Sequence, residues 1–287
     1  MTNSNKLKIN FSDFWSGFDK LNNPFFNLLK EDFDVTISEN PDILFFSVFD
    51  ENGCYFNNKR GVKHRDYNCK KIFYSGEPVH PNYNECDYSM SYDWIERDNH
   101  FRLPLYVIWG DSYYQLENKN IIDDSCNRYF CNFVVSNPLC SFRNDFFLKL
   151  SKYKKVDSGG RFLNNIGNEG VIDKLDFQKK YKFSLAFENV EYLGYTSEKL
   201  TNAMLANTIP IYWGNPLVHE DFNTNSFINY YDFKNENEMI EYIIYLDNNN
   251  EEYLKKFKEP WLIGDKIKNS YSKESIKGFL KKIILNT

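Results

Sequence analysis

The stretch KFSLAFENVEYLGYTSEKLTNAMLANTIPIYWGNP, residues 182–216, opens on an apolar run, passes through a polar loop, takes up a helical pattern at about 197–207 and ends in a second apolar run. Strand, helix and strand in that order form a βαβ unit, in which the two strands lie parallel. In an open parallel sheet, ligands gather outside the carboxyl ends of the strands. Glu188 and Asn189, directly after the first run, are therefore candidates for a site. Gly194 permits a tight turn, and Thr196 or Ser197 can cap the helix that follows. Glu198 and Lys199 then fall in the first helical turn, beside unpaired N–H groups that favour an anion. Amides and Lys199 suit phosphate oxygens, while Glu198 suits ribose hydroxyls, so the stretch reads as a nucleoside diphosphate site. Taken alone, Glu198 could merely complement the helix dipole and Lys199 could be a solvated charge.

The same alternation extends in both directions. Upstream lie a strand near 7–11, a helix at 24–30 opened by Asn23-Pro24, and strands near 35–37 and 43–48. KKIFYSGE around Ile72, CDYSMSYD around Tyr88 and FVVSN at 133–137 each read as a strand running into a loop. Helices at 143–152 and 172–181, a strand near Val156, and helical spacing among Met239, Ile243, Leu246, Ile276, Leu280 and Ile283 complete the pattern. The polar segment LENKNIIDDSCN, residues 116–127, separates two such stretches. The expected organisation is thus α/β with two Rossmann-like domains, 1–118 and 119–287, the second carrying the C-terminal helices.

The chain has 287 residues, enough for two medium domains. Its 35 Lys+Arg against 40 Asp+Glu leave a net charge of −5, which argues against a nucleic-acid-coating role. The start MTNSNKLKIN carries no apolar leader, and the longest apolar stretch is too short to span a bilayer, so the expectation is a soluble cytoplasmic protein without a transmembrane segment. Six cysteines without a CxxC pair and four scattered histidines give no zinc pattern; buried free thiols are expected. Aromatic residues reach 18%, and such rings either fill cores or stack on sugar faces.

Residues 182–216 closely resemble the signature of the α1,3/4-fucosyltransferases, glycosyltransferase family ten, in which F-x-FEN, GY-x-TEK and IPIYWG-x-P follow in order. YSGEPVHPNYNECDYSMSYD at 74–93 and RLPLY at 102–106 resemble further family segments, as do DFN at 221–223 and SFIN at 226–229. The resemblance implies a GT-B fold, two Rossmann-like domains facing across a cleft, with the acceptor mostly on the first and GDP-fucose on the second. It implies that Asn189, Tyr195, Glu198 and Lys199 hold the donor, with Glu188 facing the fucose. Ser197 stands where the family usually has Thr, which keeps the hydroxyl. Arg143 matches a family arginine that meets the donor phosphates, a role suited to a permanently charged fork. Gly159 and Gly160, followed by Arg161, resemble a loop near the donor, although a turn alone explains them.

Glu77 resembles the family's catalytic base. An inverting transfer needs a carboxylate to take the acceptor hydroxyl's proton as it attacks C1 of the sugar; the alternative for Glu77 is a loop carboxylate that binds a hydroxyl or caps an N–H. The implied reaction moves L-fucose from GDP-β-L-fucose to a galactosyl-N-acetylglucosamine glycan, an acceptor of the N-acetyllactosamine type. Arg143, Lys199 and helix amides would stabilise the departing GDP, so no cofactor or obligatory metal is expected. His80 is a second, weaker candidate base. Asp87 and Asp93 could bind acceptor hydroxyls or fix a turn, and the Asp32-Phe33-Asp34 string reads as surface charge rather than a metal site. The acceptor loops, 53–66 and 78–85, carry no readable code. The rival readings are a GT-B enzyme using another GDP-sugar or acceptor, and a non-catalytic glycan-binding protein.

Overall fold

The computed structural model describes residues 6–49, 63–109, 112–117, 119, 121, 125–167 and 169–285. The chain divides into two compact units, one formed by 1–109 with 268–287 and the other by 110–267.

In the first unit, β1 (Lys6–Ser12), β2 (Asp34–Ile37), β3 (Ile43–Phe46), β4 (Lys70–Tyr74), β5 (Tyr88–Ser91) and β6 (His100–Arg102) form one sheet in the order β2-β1-β3-β4-β5-β6, every pair parallel. All four residues of β3 are buried, as expected of a strand covered on both faces. Helix α1 (Pro24–Lys30) begins as its sequence dictates, with Pro24 supplying a preset φ and the Asn23 side chain accepting from the Phe26 N–H. Its Phe25 stacks on Phe45, which also stacks on Phe11. Much of the aromatic excess therefore fills the core, where each fully buried ring contributes roughly 1.5–3 kcal/mol. A short helix, α2 (Leu105–Ile108), ends at Trp109.

In the second unit, β7 (Tyr129–Phe133), β8 (Val156–Ser158), β9 (Tyr181–Leu185), β10 (Ile209–Tyr212) and β11 (Ile228–Asn229) form a parallel sheet in the order β11-β10-β9-β7-β8. Helices α3 (Ser141–Leu150), α4 (Lys174–Gln178), α5 (Glu198–Leu205), α6 (Glu236–Asn248) and α7 (Asn250–Lys258) accompany it. Phe133, Phe146, Phe147, Phe183 and Phe187 lie in one core cluster.

The last helix, α8 (Lys273–Leu285), differs from expectation, because it belongs to the first unit. Its Phe279 packs on Tyr88 and Phe101, while Lys277 and Lys281 pair with Asp32 at 2.9 and 3.0 Å. The boundary falls after Trp109 rather than after 118, and the second unit stops at Ile267. Asp32 thus anchors a helix, and hydrogen bonds from Lys277 and Lys281 hold its carboxyl below its ordinary range. Cys69, Cys86, Cys126, Cys131 and Cys140 are free thiols, and Cys54 lies outside the described residues. Among the described residues no helix is long and apolar enough to cross a membrane.

Candidate active site

The chain leaves β7 for β8 on one side and reaches β9, β10 and β11 on the other, so the second sheet reverses its winding between β7 and β9. A crevice at the carboxyl ends of such strands is where ligands bind. The loop after β7 leads into α3, whose first turn carries Arg143, a fully buried side chain. Its Nη2 donates to the Asn137 carbonyl and its Nη1 to Asn189 Oδ1, both at 2.6 Å, while Nε has no partner. Burial draws the guanidinium's pKa down, yet an arginine stays charged. Asn189, directly after β9, therefore orients Arg143.

Helix α5 starts in the same unit. Ser197 is its N-cap, accepting from the Lys199 N–H. The Glu188 carboxylate is completely buried and accepts from the Ser197 N–H at 2.7 Å, from the Ser197 hydroxyl at 2.8 Å and from Lys199 Nζ at 2.9 Å. Glu188, which the resemblance implies faces the fucose, fixes the cap and the lysine. Burial alone would lower the Lys199 pKa, but Glu188 and Glu198 outweigh it and hold the ammonium above its ordinary value. Burial would raise the Glu198 carboxyl, and Lys199 and Lys174 outweigh that in turn, holding it below the usual range. A helix start, a buried arginine and a lysine locked in the charged state make a preorganised site for an anion.

The rest of the conspicuous string supports this cluster from behind. Asn215 Oδ1 accepts from the Gly194 N–H at 2.7 Å and its Nδ2 donates to Thr196 at 3.1 Å, while the Tyr212 hydroxyl sits 3.2 Å from Thr196 Oγ1 and accepts from the Asn215 N–H. Tyr195 is buried within this loop. Gly214, at φ +147°, passes so close to Glu188 that a Cβ there would meet Glu188 Cγ at 2.4 Å. A Cβ on Gly160 would meet the Val135 carbonyl oxygen at 1.9 Å, so Gly160 is required by backbone packing beside β7.

The first sheet has the same reversal, between β1 and β3. Along its carboxyl edge Asp13, Ser47, Ser75 and Tyr92 directly follow β1, β3, β4 and β5. Glu77 lies in the turn after β4, where the Ser75 hydroxyl accepts from the Glu77 N–H at 3.0 Å and donates to the Glu77 carbonyl at 2.8 Å. It lines a cavity of about 450 Å³ with Trp15, Ser47, Phe49, Gly76, Leu105 and Trp109. Trp15 and Trp109 meet edge to face at 4.8 Å, and the Trp109 indole N–H donates to the Tyr74 hydroxyl. Asp13, at φ +58°, accepts from the His64 N–H at 3.0 Å and lies 2.8 Å from His64 Nδ1. Of the loop 53–66, residues 53–62 lie outside the described residues.

The structure gathers Arg143, Glu188, Asn189, Tyr195, Glu198 and Lys199 in the second unit, and Glu77 belongs to the first. Asp87 accepts from the Lys71 N–H, a strand-end role. Sequence reasoning missed Lys174, which adds charge beside Glu198, and passed over Tyr212 and Asn215 although both stand in the quoted string. It also missed the aromatic wall around Glu77, whose members are scattered from residue 15 to residue 109.

The pattern of the α-(1,3)-fucosyltransferase FucT N-terminal domain matches residues 9–109, and that of the glycosyltransferase family 10 (fucosyltransferase) C-terminal region matches residues 125–277. The α-(1,3)-fucosyltransferase FucT of Helicobacter pylori is 33% identical over 286 residues, covering 86% of this chain and 59% of its own length. A crystal structure of an α1,3-fucosyltransferase has a TM-score of 0.83 at 30% identity, over 98% of this chain and 90% of its own. A second, with GDP-fucose, has a TM-score of 0.81 at 29% identity, over 99% and 92%. The chain thus spans about three-fifths of the length of the H. pylori relative.

Proposed function

Since the chain belongs to glycosyltransferase family 10, we propose that it is an inverting α1,3-fucosyltransferase that moves L-fucose from GDP-β-L-fucose to the GlcNAc or Glc of a β-galactosyl-containing glycan. Its two parallel α/β units are those of a GT-B fold. The observation that carries the reading is the buried Arg143 beside the start of α5, with Lys199 held charged.

In this mechanism the diphosphate takes the place that these cations and the α5 amides prepare, and Glu198 accepts from ribose hydroxyls. Asn189 keeps the guanidinium fork in position, and Glu188 keeps Lys199 from swinging away. As the glycosidic bond lengthens, negative charge grows on the GDP oxygens, and fixed positive groups stabilise that growth without reorganising. Glu77 accepts the proton of the acceptor hydroxyl as its oxygen attacks C1 from the face opposite the leaving group, which inverts the β-linked donor to an α-linked product. The rings of Trp15 and Trp109 beside Glu77 offer an apolar wall against the acceptor. The charge on the leaving group is met by side chains, so the reaction runs without an added divalent ion.

Incubation of the protein with GDP-fucose and a β-galactosyl-1,4-N-acetylglucosamine acceptor, with EDTA or with Mn²⁺, tests this by the gain of one fucose mass. Transfer that survives EDTA supports the reading. Failure to transfer, together with no thermal protection by GDP, would sink it.

A further inference from the structure

The turn that carries Glu77 is held from the neighbouring strand as well as by its own hydrogen bonds. Directly after β5 come Tyr92 and Asp93, both buried. The Tyr92 hydroxyl accepts from the Val79 N–H at 2.8 Å, and that N–H also meets the Glu77 carbonyl at 2.7 Å. One residue further, His80 Nδ1 lies 2.7 Å from Asp93 Oδ1. The two partners differ sharply in environment, since the His80 side chain is 70% exposed and that of Asp93 only 3%. Asp93 is itself fixed, because its Oδ2 accepts from the Ser91 hydroxyl at 2.7 Å and its carbonyl lies 3.0 Å from His100 Nε2.

A buried carboxylate needs strong partners, and an imidazole N–H is one. An exposed histidine needs no such partner for its own sake, so the pairing serves the segment it sits in. That segment is three residues from Glu77 and bracketed by Pro78 and Pro81, which leave few backbone dihedrals to absorb a displacement. We infer that Asp93, acting through His80, is a positioning residue that fixes the Glu77 turn against the end of β5. This rests on the assignment of Glu77 as the base. His80 does not itself take the acceptor proton; its ring serves as the donor that Asp93 grips.

The test compares Glu77→Gln, His80→Ala, His80→Asn and Asp93→Asn in steady-state transfer of fucose from GDP-fucose to the same disaccharide, with thermal unfolding followed with and without GDP. An asparagine amide can place an N–H where Nδ1–H stood, but cannot accept a proton as a base would. His80→Ala is expected to lower kcat about 10- to 100-fold, the penalty of a base misplaced by about an ångström. KM for GDP-fucose and the protection by GDP should stay unchanged, and His80→Asn should recover most of the lost rate. Asp93→Asn should lower kcat in the same manner; if it fails to fold, the two His80 variants, altered at an exposed position, carry the test. An undiminished kcat in His80→Ala, or a His80→Asn protein as slow as His80→Ala, would overturn the inference. Full transfer by Glu77→Gln would instead overturn the assignment of the base, and the positioning role with it, which separates the two failures.

Discussion

The carboxyl edges of the two sheets solve different problems with similar topology. At the second, polar groups are matched to one another: Glu188 to Ser197 and Lys199, Arg143 to Asn137 and Asn189, Asn215 to Gly194 and Thr196. At the first, Glu77 is the one charged group among the described residues lining a cavity whose walls are largely aromatic. A site for a charged, invariant group such as a diphosphate gains from fixed dipoles. A site for a sugar hydroxyl needs one base and a shaped apolar surface.

Breaking each edge should therefore give different signatures. The largest effect is expected from Glu77→Gln, with kcat for transfer falling about 10²–10⁴-fold, the usual worth of a general base, and GDP still protecting the protein against heat. Loss of that protection would show that the two edges are not separable. Next is Arg143→Lys, which keeps a charge but loses the fork to Asn137 and Asn189; kcat should fall about 10²–10³-fold, as when one transition-state donor is removed, with weaker GDP binding by calorimetry. Near-normal turnover would remove the carrying observation. Gly214→Ala acts on stability, since the new methyl would overlap the Glu188 side chain at a φ that disfavours any Cβ. About 2–4 kcal/mol should be lost, within the range of strained or overpacked sites, seen as a lower Tm, and an unchanged Tm would mean that Glu188 has room to move.

Acid sharpens the comparison more gently. Glu198 has a folded-state pKa depressed below its ordinary 4.5, by Lys199 and Lys174 against the opposing effect of burial. Its contribution to stability is complete above that value and is lost as pH falls through the lower folded-state value. The thermal shift given by GDP should weaken over the same acidic window, and a shift independent of pH there would argue against Glu198 as a donor contact. The smallest effect belongs to Trp109→Phe, which keeps a ring but loses the hydrogen bond to Tyr74. KM for the acceptor should rise several-fold with GDP binding unaffected, in keeping with about 1 kcal/mol for a net hydrogen bond.

The same contrast explains what could be read in the sequence. The residues of the second-sheet cluster from Glu188 to Asn215 lie in one string, because a βαβ unit brings its first loop and its helix start together locally; a cap at Thr196 or Ser197 and Lys199 in the first turn follow from spacing, and the structure selects Ser197. Arg143 is distant in sequence, and only the resemblance pointed to it. The bonds of Glu188 to Ser197 and Lys199 were not legible, because a carboxylate after a strand looks the same whether it meets a ligand or a serine cap. At the first sheet β1 to β5 were legible as strands, whereas the short β6, HFR, carries no apolar run; Trp15, Phe49 and Trp109, which follow β1, β3 and α2, line one cavity only through the order of the strands, which no local period encodes. The last helix was legible as a helix and not in its placement, since the pairing of Lys277 and Lys281 with Asp32 joins residues about 245 positions apart.

That placement has a consequence for the order in which the protein is made. A ribosome delivers the whole of 110–267 before α8 appears, so the second unit, continuous in sequence, can complete its core while the first unit still lacks its closing helix. Until then Tyr88 and Phe101 are without the Phe279 ring that packs on them, and the nascent first sheet carries an apolar surface that only the arrival of α8 covers.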